Sequence, residues 1–170
     1  TTFLLIFIFN IQPARANMMT LNALKILSSQ PAVSIDSIKA ALAFNSPHID
    51  DIRSDLGRTV SQVFSNPSGD MDKTKVMEIF NAVYPALQEN LKLHPLDIRN
   101  QLSLAQLTQL GYSLTQDPRY IVEYGNYLID ALKYSPKRQQ LLYNIANYNL
   151  QIGKGDEAIK FLEQTIEDDP

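Results

Sequence analysis

The chain has 170 residues, enough for one ordinary domain or a short helical array with a substantial core. Its formal net charge of −3 leaves no electrostatic footprint for nucleic acid, and no polybasic cluster is present to grip anionic lipid. The absence of cysteine excludes disulfide staples, thiolate metal sites and a cysteine nucleophile, while saying nothing of redox compartment.

The chain opens on an apolar run, Phe3-Leu4-Leu5-Ile6-Phe7-Ile8-Phe9, that is greasy all round and not striped. Thr1 to Ile11 is about half of the roughly 20 residues that a membrane-spanning helix needs. Two readings stand. The run is the exit end of a spanning helix, or the h-region of a signal peptide with Ala14-Arg15-Ala16 as a small-x-small cleavage site. Either implies a longer gene product, and a buried soluble helix is a weaker third choice.

Gln12-Pro13 is expected to interrupt this segment. Beyond it Met18, Leu21, Leu24 and Leu27, in steps of three, predict an amphipathic helix to Ser28. Gln30-Pro31 breaks it, and Ser34 is expected to cap a short helix carrying Ile35, Ile38, Ala41 and Leu42. Ser46-Pro47 then combines a capping serine with a proline at the first helical turn, where its missing N–H costs nothing. Ile49, Ile52, Leu56, Val60, Val63 and Phe64 form the stripe of the helix that follows.

Asn66-Pro67-Ser68-Gly69 is a loop signal. From Asp70, Val76, Ile79, Phe80, Val83, Leu87 and Leu91 make an inner face, with Pro85 expected to kink or split the helix near Asn81 to Tyr84. His94-Pro95 ends that unit. Leu102, Ala105, Leu107 and Leu110 form the next face, which stops around Gly111 to Thr115. Asp117-Pro118 opens a helix through Ile121, Tyr124, Leu128, Ile129 and Leu132, and Ser135-Pro136 is expected to open another.

From Pro136 to Pro170 the chain keeps a 34-residue beat: Leu142, Ile145 and Ala146, a turn at Gly153-Lys154-Gly155, then Ala158, Leu162 and Thr165. Pro47, Pro95, Pro136 and Pro170 lie 48, 41 and 34 residues apart, so the hairpins are expected to shrink as the loops between helices shorten. The fold class is thus all-α: an apolar N-terminal helix stub (1–28, with a membrane-proximal helix) followed by stacked antiparallel helical hairpins (29–170) in one continuous array. The best-formed repeat is 137–170. With no polar capping helix after Pro170, the face carrying Ile159, Leu162 and Ile166 is expected to lack a neighbour.

Leu142 to Pro170 resembles one tetratricopeptide repeat, with Ala146, Gly153, Ala158, Leu162 and Pro170 in place. It departs at Asn149, where an aromatic is usual, and at Thr165, where alanine is usual. A longer arrangement is also similar to a known tail. Asn10-Ile11-Gln12-Pro13, a helix beyond Leu24, the run from Ile38 to Pro47 and Asp51-Ile52-Arg53 resemble the segment after the last membrane span of bacterial O-antigen ligase and polymerase-like proteins. That resemblance implies a parent membrane glycosyltransferase of cell-surface glycan assembly, whose reactive residues lie upstream of this chain. It implies localisation at the bacterial inner membrane, with residues 1–11 in the membrane. Arg15 and Lys25, with no acid before Asp36, lean the repeat tail towards the cytoplasm. The alternative is an exported soluble repeat protein whose signal peptide is truncated.

No constellation carries chemistry, so no catalytic residue, cofactor or metal ligand is assigned and the segment itself reads as non-catalytic. His48 and His94 are 46 residues apart, where a metal pair on one helix needs a spacing of about three to five. Asp50, Asp51 and Asp55 sit where a helix dipole welcomes negative charge. Gly153-Lys154-Gly155 lacks the strand and the Ser or Thr of a phosphate loop. Seven of the eight tyrosines fall between Tyr112 and Tyr148, either filling the seams between hairpins or lining a groove for an extended peptide. In the tetratricopeptide family the first helix of a repeat lines the inner surface, which makes Tyr143, Asn144, Asn147 and Gln151 the candidate contacts to a protein or peptide partner.

Overall fold

The computed structural model describes residues 7–65 and 72–167. The described residues hold eight α-helices and no strand, and they divide at Leu93/His94 into two compact units, each built of helical hairpins. Thr1 to Ile6, the loop at Asn66 to Gly69 and the closing Pro170 lie outside the described residues. No described helix is long and apolar enough to cross a membrane.

In the N-terminal unit a π-helical turn, Phe7–Ile11, runs straight into α1, Gln12–Ser29. The expected interruption at Gln12-Pro13 does not occur, because Pro13 falls in the first helical turn, where no backbone donor is needed. The buried stripe of α1 is Ala16, Thr20, Ala23 and Leu27; Met18 and Leu21, expected inside, are 70% and 66% exposed. Small side chains at 16, 20 and 23 mark the face of close helix approach, a choice that hydrophobicity alone does not reveal.

A short 3-10 turn, Pro31–Val33, leads to α2, Ile35–Ala43. Ser34 does not cap it: the residue has helical angles, and its hydroxyl donates to the carbonyl of Pro31 at 2.8 Å. Helix α3, Ile49–Ser65, follows a turn at Pro47-His48 in which Ser46 Oγ accepts from the His48 N–H at 3.1 Å. Helix α4, Lys73–Leu93, continues through Pro85 and is not split there. Pro85 and Asn81 both lie on its exposed side, so the carbonyl deprived of its partner faces water.

Helix α1 packs on α2 and α3, and both of those pack on α4. Ile38, Ile52, Leu56, Val60, Ile79, Phe80, Val83 and Leu87 close the core, which is the apolar periodicity read from the chain. Fully buried Asn90 clips α4 to α3. Its Nδ2 donates to the Asp50 carbonyl at 2.6 Å and to Ser54 Oγ at 3.1 Å, and its Oδ1 accepts from Arg53 at 3.2 Å.

The C-terminal unit is two hairpins in series. Helices α5, Ile98–Thr115, and α6, Pro118–Tyr134, form the first; α7, Gln139–Gln151, and α8, Gly155–Glu167, form the second, and α6 packs on α7. The second hairpin is shorter because its helices have 13 residues each against 18 and 17, not because its loop is shorter as expected. Asp97 and Asp117 cap α5 and α6 alike, each accepting the N–H of the arginine two residues on. Ser135-Pro136 opens no helix. It forms a turn closed by Arg138 N–H to the Ser135 carbonyl at 3.3 Å, and α7 begins at Gln139 without a side-chain cap.

Between α7 and α8 the expected turn is a Schellman closure. Lys154 N–H reaches the Asn149 carbonyl at 2.8 Å and Gly153 N–H the Leu150 carbonyl at 3.1 Å, with Gly153 at φ 77°. Leu102, Ala105, Tyr124, Leu128, Ala131, Leu141 and Ile145 form one core, joined by Tyr127, Tyr148 and Phe161. Leu142, Ala146 and Ala158 are fully buried, as the 34-residue beat requires. Ile159 and Ile166 on α8 are 55% and 70% exposed, so this face lacks a covering helix among the described residues.

Candidate protein-interaction surface

The periodicity that buries Leu142, Ile145 and Ala146 turns the opposite face of α7 outward. Tyr143, Asn147, Leu150 and Gln151 fall within about 100° of arc at 100° per residue, and they form the outer strip of the helix. Tyr143 and Leu150 are 56% and 55% exposed, Gln151 is exposed, and Asn147 is half-buried. Asn144 stands off this strip, half-buried, and its backbone carbonyl accepts the hydroxyl of Tyr124 at 3.2 Å. Through that carbonyl the residue takes part in the packing of α6 on α7.

Two hollows sit at the ends of the strip. A groove of about 570 Å³ is formed by Gln109, Tyr112 and Ser113 at the end of α5, Pro118, Ile121 and Val122 at the start of α6, and Gln151 at the end of α7. A shallower hollow of about 320 Å³ lies between Gln139, Gln140 and Tyr143 on α7 and Thr165 on α8. Tyr143 and Gln151 thus serve different hollows, with Asn147 on the ridge between them. Tyr112 is among the tyrosines expected to fill a seam or line a groove, whereas Ile121 and Val122 were missed as contact candidates. The apolar periodicity places Ile121 in the buried stripe and does not single out Val122, which is 58% exposed.

The tyrosines divide between packing and surface. Tyr124 is 2% exposed and meets Tyr148 edge to face, with ring centroids 5.7 Å apart. Burial pushes its hydroxyl up to about 12, so it stays a neutral donor to the Asn144 carbonyl. Burial likewise raises the Tyr120 hydroxyl. Asn149 is buried, its amide donating to the Ile145 carbonyl at 3.0 Å.

Charge is nearly absent from the strip. Helix α7, QQLLYNIANYNLQ, has no ionisable side chain except tyrosine, and no lining residue of either hollow is an acid or a base. Of the three charges adjacent in sequence to the groove's lining, Asp117 and Arg119 pair with each other at 2.6 Å, and Glu123 follows Val122. The Arg119 guanidinium hydrogen bond, then the Arg119 backbone N–H, holds the Asp117 carboxyl below the usual range.

Elsewhere His48 lies 3.8 Å from Asp51 on an exposed helical turn, and Asp50 and Asp51 occupy the first turn of α3. Among the described residues no group of His, Asp or Glu side chains is arranged to hold a metal ion.

No protein-family model and no curated protein matches the chain. Solved structures of MamA, a tetratricopeptide-like helical protein, do. The chain aligns with MamA MSR-1 C2 at a TM-score of 0.62 and 17% identity, covering 91% of this chain and 76% of that one. An aspartate-to-lysine mutant of MamA gives 0.59 and 18% over 91% and 77%, and an arginine-to-glutamate mutant gives 0.54 and 18% over 91% and 98%. At such identities the likeness establishes the fold: an all-α protein of tetratricopeptide-like helical hairpins.

Proposed function

We propose that the chain is a non-catalytic protein-interaction scaffold whose contact surface is the outward strip of α7 with its two hollows. The observation that carries this reading is the exposure of Tyr143, Leu150 and Gln151, with half-buried Asn147 between them, on a helix whose other face is locked into the core. Tyrosine offers large contact area at low conformational-entropy cost, and amide side chains adapt their hydrogen bonds to a partner. A photo-crosslinking amino acid at position 147 is expected to trap a discrete partner in cells, whereas one at Lys133, exposed on α6, is not. Equal adducts at both positions, or none at 147, would remove the reading.

The chain is further read as the tail of a membrane O-antigen ligase or polymerase-type glycosyltransferase, recruiting components of cell-surface glycan assembly at the bacterial inner membrane with its repeats on the cytoplasmic side. Support comes from the resemblance of Asn10 to Pro13, Ile38 to Pro47 and Asp51 to Arg53 to such tails. The upstream gene sequence tests it. Many apolar spans before Thr1 are expected, and a basic stretch immediately before it would instead mean an exported repeat protein. A reporter active on one side of the membrane only, fused after Pro170 of the full-length product, tests the sidedness.

A further inference from the structure

We propose, building on the interaction surface above, that this surface takes an uncharged, extended polypeptide segment and rejects charged ones. The argument is one of matching electrostatics. Helix α7 carries no acid or base in its 13 residues, and the hollows at its two ends are lined without one. A charged side chain laid on this strip would shed water and find no opposite charge to replace it, which is costly. A neutral segment meets no such penalty.

The geometry suits an extended main chain. Tyr143 and Gln151 are eight residues apart, about 12 Å along the helix at 1.5 Å per residue. Roughly four extended residues at about 3.3 Å each cover that distance, and one or two more at either end enter the hollows. Gln109, Asn147 and Gln151 each carry an amide donor and an amide acceptor, the complement of a peptide backbone's own groups. Pro118, Ile121 and Val122 supply an apolar wall in the larger groove for an aliphatic or aromatic side chain. Asp117 and Arg119, which flank Pro118, are paired with each other, and Glu123, which follows Val122, is not among the residues lining the groove.

The probe is a random dodecapeptide library displayed on phage, selected against the full chain, with enriched sequences then synthesised and measured by fluorescence anisotropy. Enriched peptides are expected to contain Asp, Glu, Lys and Arg at less than half the library frequency. Their Kd is expected to change less than twofold between 50 and 500 mM NaCl, because few ions are released or screened. Gln151→Glu and Asn147→Asp, near-isosteric changes at partly or fully exposed positions, are each expected to weaken binding at least tenfold. Helix content by circular dichroism verifies the fold of both variants. Charged, salt-sensitive peptides that still lose binding on Tyr143→Ala would overturn the neutral-partner inference while leaving the interaction surface in place. Enriched peptides indifferent to every α7 substitution, or no enrichment at all, would overturn both.

Discussion

An alanine at Gly125 would put its Cβ 2.5 Å from the hydroxyl oxygen of Tyr148 and 2.8 Å from Cε1, with Cζ nearer still. No carbon sits that close to a ring, so the Tyr148 side chain must swing away. It would leave its edge-to-face contact with Tyr124, an arrangement worth about 0.5–1.5 kcal/mol beyond the area it buries. Forcing an extra methyl into a filled core adds a cost of about 1–3 kcal/mol. Against this, alanine is a better helix former than glycine by about 1 kcal/mol. The balance is a destabilisation of about 1–2 kcal/mol for Gly125→Ala in the otherwise unchanged chain, read against those opposing contributions.

The decisive measurement is the same substitution in a Tyr148→Ala background. With the ring gone, only the helix-forming gain remains, and Gly125→Ala should then stabilise by about 0.5–1 kcal/mol. Urea unfolding followed by tyrosine fluorescence is suitable, because the chain has no tryptophan and seven of its eight tyrosines lie in the C-terminal unit. A Gly125→Ala cost of equal size in both backgrounds would show that Tyr148 is not what fills the space above Gly125, and would refute the packing of α6 on α7 described above.

The Tyr124 hydroxyl, held up to about 12 by burial against about 10 when unfolded, makes the folded state keep a proton that the unfolded state releases. Its contribution is whole below pH 10 and is lost as pH rises from about 10 to 12, a fall of about 2–3 kcal/mol by proton linkage. Tyr124→Phe should abolish that alkaline component in a pH series of urea melts; an unchanged pH dependence would count against it. Leu142→Ala, at a fully buried position, should cost about 2–5 kcal/mol in the same unfolding assay, and a cost near zero would mean the α7 register is wrong. Gln116 ends α5 at φ 59°, a left-handed conformation that strains an L side chain. Gln116→Gly should therefore raise stability by about 0.5–1 kcal/mol, offset in part by the side-chain bonds to the Tyr112 and Ser113 carbonyls; a clear loss would show those bonds to be the stronger effect.

Much of the architecture was legible in the chain itself. Buried positions in α3, α4 and α7 recur at 3.6-residue spacing because each of those helices hides a broad apolar stripe, and Asp117-Pro118 and Gly153 mark ends whose backbone chemistry is local. Where small residues form the contact face, periodicity misled. In α1 the eye follows Met18 and Leu21, but close approach selects Ala16, Thr20 and Ala23. Ser34 and Ser135-Pro136 carry cap-forming residues whose flanking angles, set by the turns they sit in, place the hydroxyl elsewhere or start the helix later.

The candidate contacts show the same division. That Tyr143, Asn147 and Gln151 share the outward side of a helix follows from their spacing alone, since helical geometry sets the angle between any two of its residues. That Gln151 adjoins Tyr112 and Val122 while Tyr143 adjoins Thr165, and that Asn144 serves the core through its carbonyl, depends on how neighbouring helices are laid against α7. Local sequence determined which residues each helix turns outward. Only the packing of helices distant in sequence decided which of them come together around a hollow, because that depends on side-chain volumes meeting across separate segments.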